Sequence, residues 1–156
     1  MAEGVKKVSL TWTGPGLRMV GTVAGGPAVV VDSSQEGLGT HSGPAPMELV
    51  LLGLGGCTGM DVFSILTKKR QPVTGYEVRL EGERAASHPK KYTKIQIEYV
   101  IYGKDIDVKA VERAIELSET KYCSVHAMLR ESVEIETGYR IVEEQPTPYE
   151  PGEAPE

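Results

Sequence analysis

The chain has 156 residues, and its composition of 40% hydrophobic and 25% charged residues is that of a globular protein, which excludes a disordered or fibrous body. At this length we expect a single domain. The formal net charge of −5, with no basic run longer than Lys68–Arg70, argues against a surface that binds nucleic acid.

The sequence shows neither the pattern of a secretion signal nor that of a membrane anchor. Its first ten residues, MAEGVKKVSL, alternate as a strand does. The most apolar segment, Leu49–Cys57, lies between Glu48 and Asp61 and is shorter than the ~20 residues that cross a bilayer. We therefore expect a cytoplasmic protein with no membrane partner, in which this segment belongs to the core.

Three short strands are predicted before this segment. Apolar residues recur at every second position in Val5–Trp12, and β-type residues resume in Leu17–Ala24 after the turn sequence TGPG, which is typical of a hairpin. The run PAVVVD, residues 27–32, predicts a third strand. Residues 33–46 are rich in Ser, Gly, Thr and Pro and are expected to form a loop.

A long helix is predicted next. Pro46 suits a first helical position, and Glu48 then lies in the first turn, where its charge complements the helix dipole. Between Met47 and about Lys69, apolar residues surround the first half of the helix, whereas Asp61 is expected to turn outward. The first half should therefore be buried.

A second hairpin and a second helix follow. Thr74–Ala85 and Tyr92–Tyr102 are rich in alternating apolar residues and flank a turn, so they predict the hairpin. Asp105 or Asp107 can cap the helix, whose apolar residues recur every three or four positions up to the region of Cys123. This helix should be amphipathic.

The C-terminal part contains one more strand and a tail. Ser132–Val142 predicts the closing strand, while residues 144–156 combine Pro and Glu without an aliphatic cluster and are expected to be mobile. We therefore predict one domain over residues 1–143. Its order of elements is that of an α+β fold with antiparallel hairpins.

Cys57 and Cys123 are the candidate reactive residues. The cytosol keeps ordinary thiols reduced, so redox chemistry or simple burial accounts for them better than a structural disulfide does. Glycines at positions 53, 55, 56 and 59 surround Cys57. They predict either a close approach of another backbone or a ligand, or a break that starts a new helix at Cys57. Such a helix start would lower the pKa of the thiol and favour the nucleophilic thiolate.

Glu48 is a second residue of interest in the same helix. It precedes Cys57 by nine residues, which at ~100° per residue places the two on opposite faces of an unbroken helix. A break near Gly55 and Gly56, or a second subunit, would be needed to bring them together. The sequence leaves both possibilities open.

Two segments resemble the paired signature of the OsmC/Ohr family, named for osmotically inducible protein C and organic hydroperoxide resistance. They are PAPMELVLLGLGGCTGMDVFSIL, which contains Glu48 and Cys57, and KYCSVHAML, which contains Cys123. The similarity extends from the first strand to Val142. It implies an OsmC/Ohr-like α+β fold in which antiparallel strands wrap around central helices in an intertwined homodimer.

The resemblance also implies roles for individual residues. Cys57 would attack the peroxide, Cys123 would resolve it, and Glu48 would help to position a catalytic arginine. The loop before Glu48 contains no arginine, which leaves Arg18 as the matching residue and Arg84 as its rival.

The activity implied is the thiol-dependent reduction of organic and hydrogen peroxides in oxidative-stress defence. Cys57 would become a sulfenic acid, and Cys123 would condense with it to a disulfide. An external dithiol, borne by a lipoyl-bearing or thioredoxin-like protein, would reopen that disulfide. Buried apolar residues near Cys57 favour an organic hydroperoxide as the substrate.

No cofactor or metal site is expected. His126 stands three residues after Cys123, but with His41 and His88 it shows none of the paired spacings of a zinc site. The alternative to an enzyme is a binding module that holds an apolar, lipid-like ligand between the central helices, with both thiols as bystanders.

Overall fold

The computed structural model describes residues 4–144, which form six strands and three α-helices. These elements are β1 (Val8–Trp12), β2 (Met19–Val23), β3 (Val29–Val31), α1 (Pro46–Lys68), β4 (Gly75–Arg84), β5 (Tyr92–Tyr102), α2 (Val108–Leu117), α3 (Ser124–Leu129) and β6 (Glu134–Val142). The chain divides into two compact units, the first ending at Leu52 and the second beginning at Gly53. Of the tail expected to be mobile, residues 145–156 lie outside the described part of the chain.

The first unit contains an antiparallel sheet in the order β1-β2-β3. The hairpin predicted around TGPG is confirmed, with Val8 opposite Val23 and Trp12 opposite Met19. The apolar residues of β1 that the alternating pattern would bury are exposed: Val8 by 67%, Leu10 by 50% and Trp12 by 66%. This sheet therefore presents apolar side chains that residues 4–144 leave exposed.

The loop between β3 and α1 is organised around Asp32, a carboxylate only 2% exposed. It accepts hydrogen bonds from the Ser33 amide at 2.8 Å, from the Ser42 amide and hydroxyl at 3.0 and 2.6 Å, and from the Thr40 hydroxyl. The hydroxyls of Ser42 and Thr40 hold the pKa of Asp32 well below its usual value. The loop thus has a fixed conformation where it leads into α1.

The second unit contains a sheet in the order β4-β5-β6. β4 and β5 form the predicted antiparallel hairpin, but β6 runs parallel to β5. The antiparallel arrangement expected for the strands is therefore wrong for β6. The helical segment between β5 and β6 is the reason, since a crossover connection returns the chain in the same direction.

Helix α1 is continuous from Pro46 to Lys68, so the break considered before Cys57 does not occur. Two of its glycines instead allow close packing on β4. A Cβ atom at Gly55 would lie 2.4 Å from Cδ1 of Leu80, and one at Gly59 would lie 2.9 Å from Cγ2 of Val78. Of the two explanations for the glycines, the structure supports close approach.

By length and composition alone, α1 could cross a bilayer, and it is the one such helix in the part of the chain that the structure describes. The expectation that this apolar segment is too short to cross a bilayer is therefore wrong, because the helix extends beyond Leu49–Cys57 on both sides. However, Gly55 and Gly59 pack on a strand, and the helix contains the charged residue Asp61. Both features are typical of a helix in the core of a folded domain.

The second predicted helix is divided before it reaches Cys123. Asp107 caps α2 by accepting the amide of Lys109 at 3.0 Å. After α2 the backbone forms a π-helical turn over Ser118–Tyr122, in which the amide of Cys123 donates to the carbonyl of Ser118 at 2.8 Å. Such turns are frequent at functional sites, and this one precedes a cysteine.

Candidate active site

The fold brings Cys57 and Cys123 together, although 66 positions separate them in the sequence (123 minus 57). Both are free thiols, and their Sγ atoms lie within 4.8 Å of each other. The helix that bears Cys57 thus packs against the segment that bears Cys123. The disulfide itself stays a prediction.

The two thiols differ in their surroundings. Cys57 is half-buried in the middle of α1, so no helix N-terminus acts on it, contrary to one expectation. Cys123 is 2% exposed and immediately precedes α3, where its Sγ accepts the amide of His126 at 3.3 Å. The helix start thus lies at the second cysteine, not at the first.

Burial dominates the ionisation of Cys123. It raises the pKa of this thiol to about 11, and the neighbouring Cys57 and Asp61 act in the same direction. The hydrogen bond from the His126 amide opposes this effect without cancelling it. Cys123 is therefore a protonated thiol at neutral pH, which suits a residue that reacts second.

Asp61 is the third group at this site, so the expectation that it turns outward is wrong. A carboxylate oxygen of Asp61 lies within 4.8 Å of the Sγ atoms of both Cys57 and Cys123. Asp61 is half-buried, and Oδ2 accepts the hydroxyl of Ser118 at 3.1 Å. The spacing of four residues from Cys57 was the available signal, because it places both side chains on one face of a helix.

Asp61 is joined to a buried chain of hydroxyl groups. The Ser118 hydroxyl lies 2.8 Å from that of Thr58, which is hydrogen-bonded to the hydroxyl of Tyr99. Thr58, Ser118 and Tyr99 have no exposed surface. Burial raises the pKa of Tyr99, which therefore remains a neutral phenol. Tyr99 lies within the predicted strand Tyr92–Tyr102 and Ser118 within the predicted second helix, and the pattern of neither element marks them as part of a site.

Glu48 and the two candidate arginines, Arg18 and Arg84, lie in different segments of the chain. Glu48 lies in the first turn of α1, where Oε2 accepts the amide of Ala45 at 2.7 Å. Arg18 is half-buried, just before β2, and its carbonyl accepts the amide of Thr13 at 3.1 Å. Arg84 is exposed at the end of β4, where Nε donates to the carbonyl of Lys90 at 2.8 Å.

The histidine considered for zinc is a packing residue. His126 is 9% exposed, burial lowers its pKa, and its Nδ1 has no hydrogen-bond partner within the described residues. Cys57, Asp61 and Cys123 are of types that zinc accepts, but a structural zinc site has four ligands and three groups converge here. The arrangement fits thiol chemistry better.

Comparison with known proteins gives the same assignment as the sequence signature. The family model described as OsmC-like protein matches residues 39–138. Protein YhfA of Escherichia coli K12 is 41% identical over 127 residues, which is 81% of this chain and 92% of that protein.

Solved structures also match over most of the chain. A hypothetical protein from Aquifex aeolicus VF5 superposes with a TM-score of 0.78 at 37% identity, over 90% of this chain and 98% of that one. The organic hydroperoxide resistance protein OhrB of Bacillus subtilis superposes with a TM-score of 0.59 at 14% identity, over 89% and 100% of the two chains, and so shares the fold. The matched residues include both cysteines, and the chain belongs to the OsmC-like protein family.

Proposed function

We propose that this protein is a thiol-dependent peroxidase that reduces organic hydroperoxides, and hydrogen peroxide less readily, in defence against oxidative stress. The observation that carries the proposal is the thiol pair, in which a half-buried Cys57 lies within 4.8 Å of a buried Cys123. Proteins of the same fold include two named for organic hydroperoxide resistance, which supports a peroxide as the substrate.

The reaction has two steps on the protein. The Cys57 thiolate attacks one oxygen of the peroxide, the O–O bond breaks, and the products are a sulfenic acid on Cys57 and an alcohol. Cys123 then attacks the Cys57 sulfur, so that a disulfide forms and water leaves. The difference in burial supports this order, because the accessible thiol meets the substrate and the protonated, buried thiol follows.

Two electrons must then be returned to the protein. An external dithiol attacks the Cys57–Cys123 disulfide and leaves both cysteines reduced and itself oxidised. A lipoyl-bearing or thioredoxin-like protein of the cytoplasm is the proposed donor. Because α1 is unbroken, we propose that Glu48 and Arg18 of a second copy of the chain complete the site, with Glu48 positioning the guanidinium and Arg18 stabilising the Cys57 thiolate.

The site is proposed to function in a homodimer. Met60 and Phe63 on α1 are 75% and 44% exposed, and the apolar residues of β1 are also exposed. Apolar surface of this extent marks an interaction site, and a second copy of the chain is the partner that the family fold implies.

Consumption of peroxide by the reduced protein tests the proposal. Alkyl, lipid and hydrogen peroxides should each be supplied with a dithiol, with Cys57→Ser as the control. We expect loss of activity in the variant, and intact-mass analysis after one equivalent should show the loss of two hydrogens from the wild type. Two free thiols and undiminished peroxide in the wild type would refute the proposed peroxidase activity.

The alternative is a binding module for an apolar ligand. A concavity of about 390 Å³ is lined by Phe63, Val73, Thr74, Gly75 and Tyr76. It could hold part of such a ligand, but neither cysteine lines it. Thiol titration discriminates the two functions, because a binding module should show no fast-reacting thiol.

A further inference from the structure

We propose that Asp61 is a catalytic proton acceptor, which takes the proton of the Cys123 thiol while Cys123 attacks the oxidised Cys57 and passes that proton to the leaving group. The inference deepens the proposed function and rests on its disulfide-forming step. That step can be started without a peroxide, so the two proposals can fail independently.

The position of Asp61 is the first observation. It lies one helical turn after Cys57 on α1, and a carboxylate oxygen is within 4.8 Å of the Sγ atoms of both Cys57 and Cys123. A proton acceptor must reach both the thiol that loses the proton and the atom that receives it. In the disulfide-forming step, the Cys123 thiol and the leaving group on Cys57 both lie beside the carboxylate of Asp61.

The hydroxyl chain supplies the second observation. A carboxylate can only accept, so Ser118 uses its single proton to donate to Asp61 at 3.1 Å. Thr58 must then donate to Ser118, and Tyr99 must donate to Thr58. Three buried protons are thus oriented toward Asp61, which fixes the position of its side chain.

The third observation is the negative charge of the Asp61 carboxylate. A carboxylate beside a thiol disfavours the thiolate, and Asp61 is one of the groups that raise the pKa of Cys123. Among the described residues, the charged and titratable groups that act on this cluster are Cys57 and Asp61 on α1, Tyr76 on β4, Tyr99 on β5, Glu119 on the π-helical turn, neutral His126 on α3, and Arg130, which acts on His126. Neither of the two titratable side chains that raise the pKa of Cys123 itself, Cys57 and Asp61, is a cation. Asp61 therefore opposes spontaneous ionisation of Cys123, and removal of the proton during attack is the role that its position allows.

The step balances without a further reactant. Cys123 loses its proton to Asp61 as the S–S bond forms, the S–O bond of the Cys57 sulfenic acid breaks, and the departing hydroxide takes the proton from Asp61 as water. Asp61 returns to its carboxylate form. No electrons enter or leave, because the sulfenic acid is the oxidant and the Cys123 thiol the reductant.

The test replaces peroxide by one equivalent of 4,4′-dithiodipyridine, added to the fully reduced protein. Attack by Cys57 releases one thiopyridone and leaves a mixed disulfide, and attack by Cys123 releases the second. The two phases separate the chemistry of the two thiols, and the second should not depend on reagent concentration.

In Asp61→Asn we expect the first phase to be as fast as in the wild type or faster, and the second to be slower by about 100-fold. Its rate should then rise about tenfold per pH unit, because only spontaneously ionised Cys123 attacks. Asp105→Asn, at an exposed aspartate, should leave both phases unchanged.

Ser118→Ala keeps the carboxylate but removes its hydrogen-bond donor, and the second phase should slow by a smaller factor. It also provides a second test if Asp61→Asn does not fold, which circular dichroism would reveal. Cys123→Ser should release only one thiopyridone.

A second phase that is unchanged or accelerated in Asp61→Asn would overturn the proposal, since a carboxylate acting only through its charge slows thiol attack. A wild type that shows both phases but consumes no peroxide would overturn the proposed peroxidase and leave the role of Asp61 in disulfide formation intact.

Discussion

Cys57 and Cys123 are chemically the same residue in two different environments, and their proposed roles follow from that difference. Cys57 is half-buried, whereas Cys123 is 2% exposed. We expect Cys123→Ser to consume about one equivalent of an organic hydroperoxide and then stop as a sulfenic acid that dimedone traps. Peptide mapping should place the adduct on Cys57, and Cys57→Ser should give none. An adduct on residue 123 in Cys57→Ser would reverse the assignment.

The ionisation of Cys123 gives a second prediction at this scale. In Cys57→Ser it is the single thiol, and burial, the main cause of its raised pKa, is retained. Its alkylation by iodoacetamide should rise about tenfold per unit between about pH 8 and pH 10 without a plateau, because the thiolate is still the minor form there. The same variant unfolded in urea should reach a plateau near an ordinary thiol pKa of ~8.5. An early plateau in the folded protein would contradict burial as the cause.

Arg18 carries the prediction that depends most on the family resemblance. If its guanidinium stabilises the Cys57 thiolate, Arg18→Ala should slow both the alkylation of Cys57 and the peroxide step while leaving the fold intact. Alkylation rates measured across pH in Cys123→Ser, with and without the substitution, would show it. The matched control is Arg84→Ala, and a larger effect there would transfer the role to Arg84.

At the scale of elements, the contact between α1 and β4 depends on glycines that bring the helix close to the strand. A methyl group at position 59 would lie 2.9 Å from Cγ2 of Val78, so Gly59→Ala should lower the free energy of unfolding by about 1–3 kcal/mol despite its better helix propensity. Val78→Ala removes the obstructing methyl groups. The loss in free energy of unfolding of the double variant, measured in urea, should therefore be smaller than the sum of the two single losses by at least ~0.5 kcal/mol. Strict additivity would mean that this contact does not limit the packing.

At the scale of the whole molecule, uncovered apolar surface predicts an obligate homodimer. Trp12 on β1 and Met60 on α1 are 66% and 75% exposed in the single chain. Sedimentation at micromolar concentration should give twice the chain mass of 16.9 kDa. Met60→Glu should lower the dimer fraction, because a charge would be buried at the interface, whereas Lys104→Glu at an exposed site should not. A stable, folded monomer would refute the prediction.

The sequence by itself determined the local structure. Alternating residues predicted β1, β2, β4 and β5, and Pro46 marked the start of α1, because strand and helix periods are properties of neighbouring residues. The signature around Cys57 and Cys123 was also sufficient for the family, since a short motif retains its residues when the rest of a chain changes.

Tertiary structure decided the composition of the site. Asp61 was expected to face solvent because a charged residue on a helix usually does, and only the packing of the second unit places it beside both thiols. The link from Asp61 through Ser118 to Tyr99 joins three segments far apart in the sequence. The parallel pairing of β6 likewise depends on where the crossover returns the chain. Such contacts are fixed by how elements fill a common core, and no pattern within one element records them.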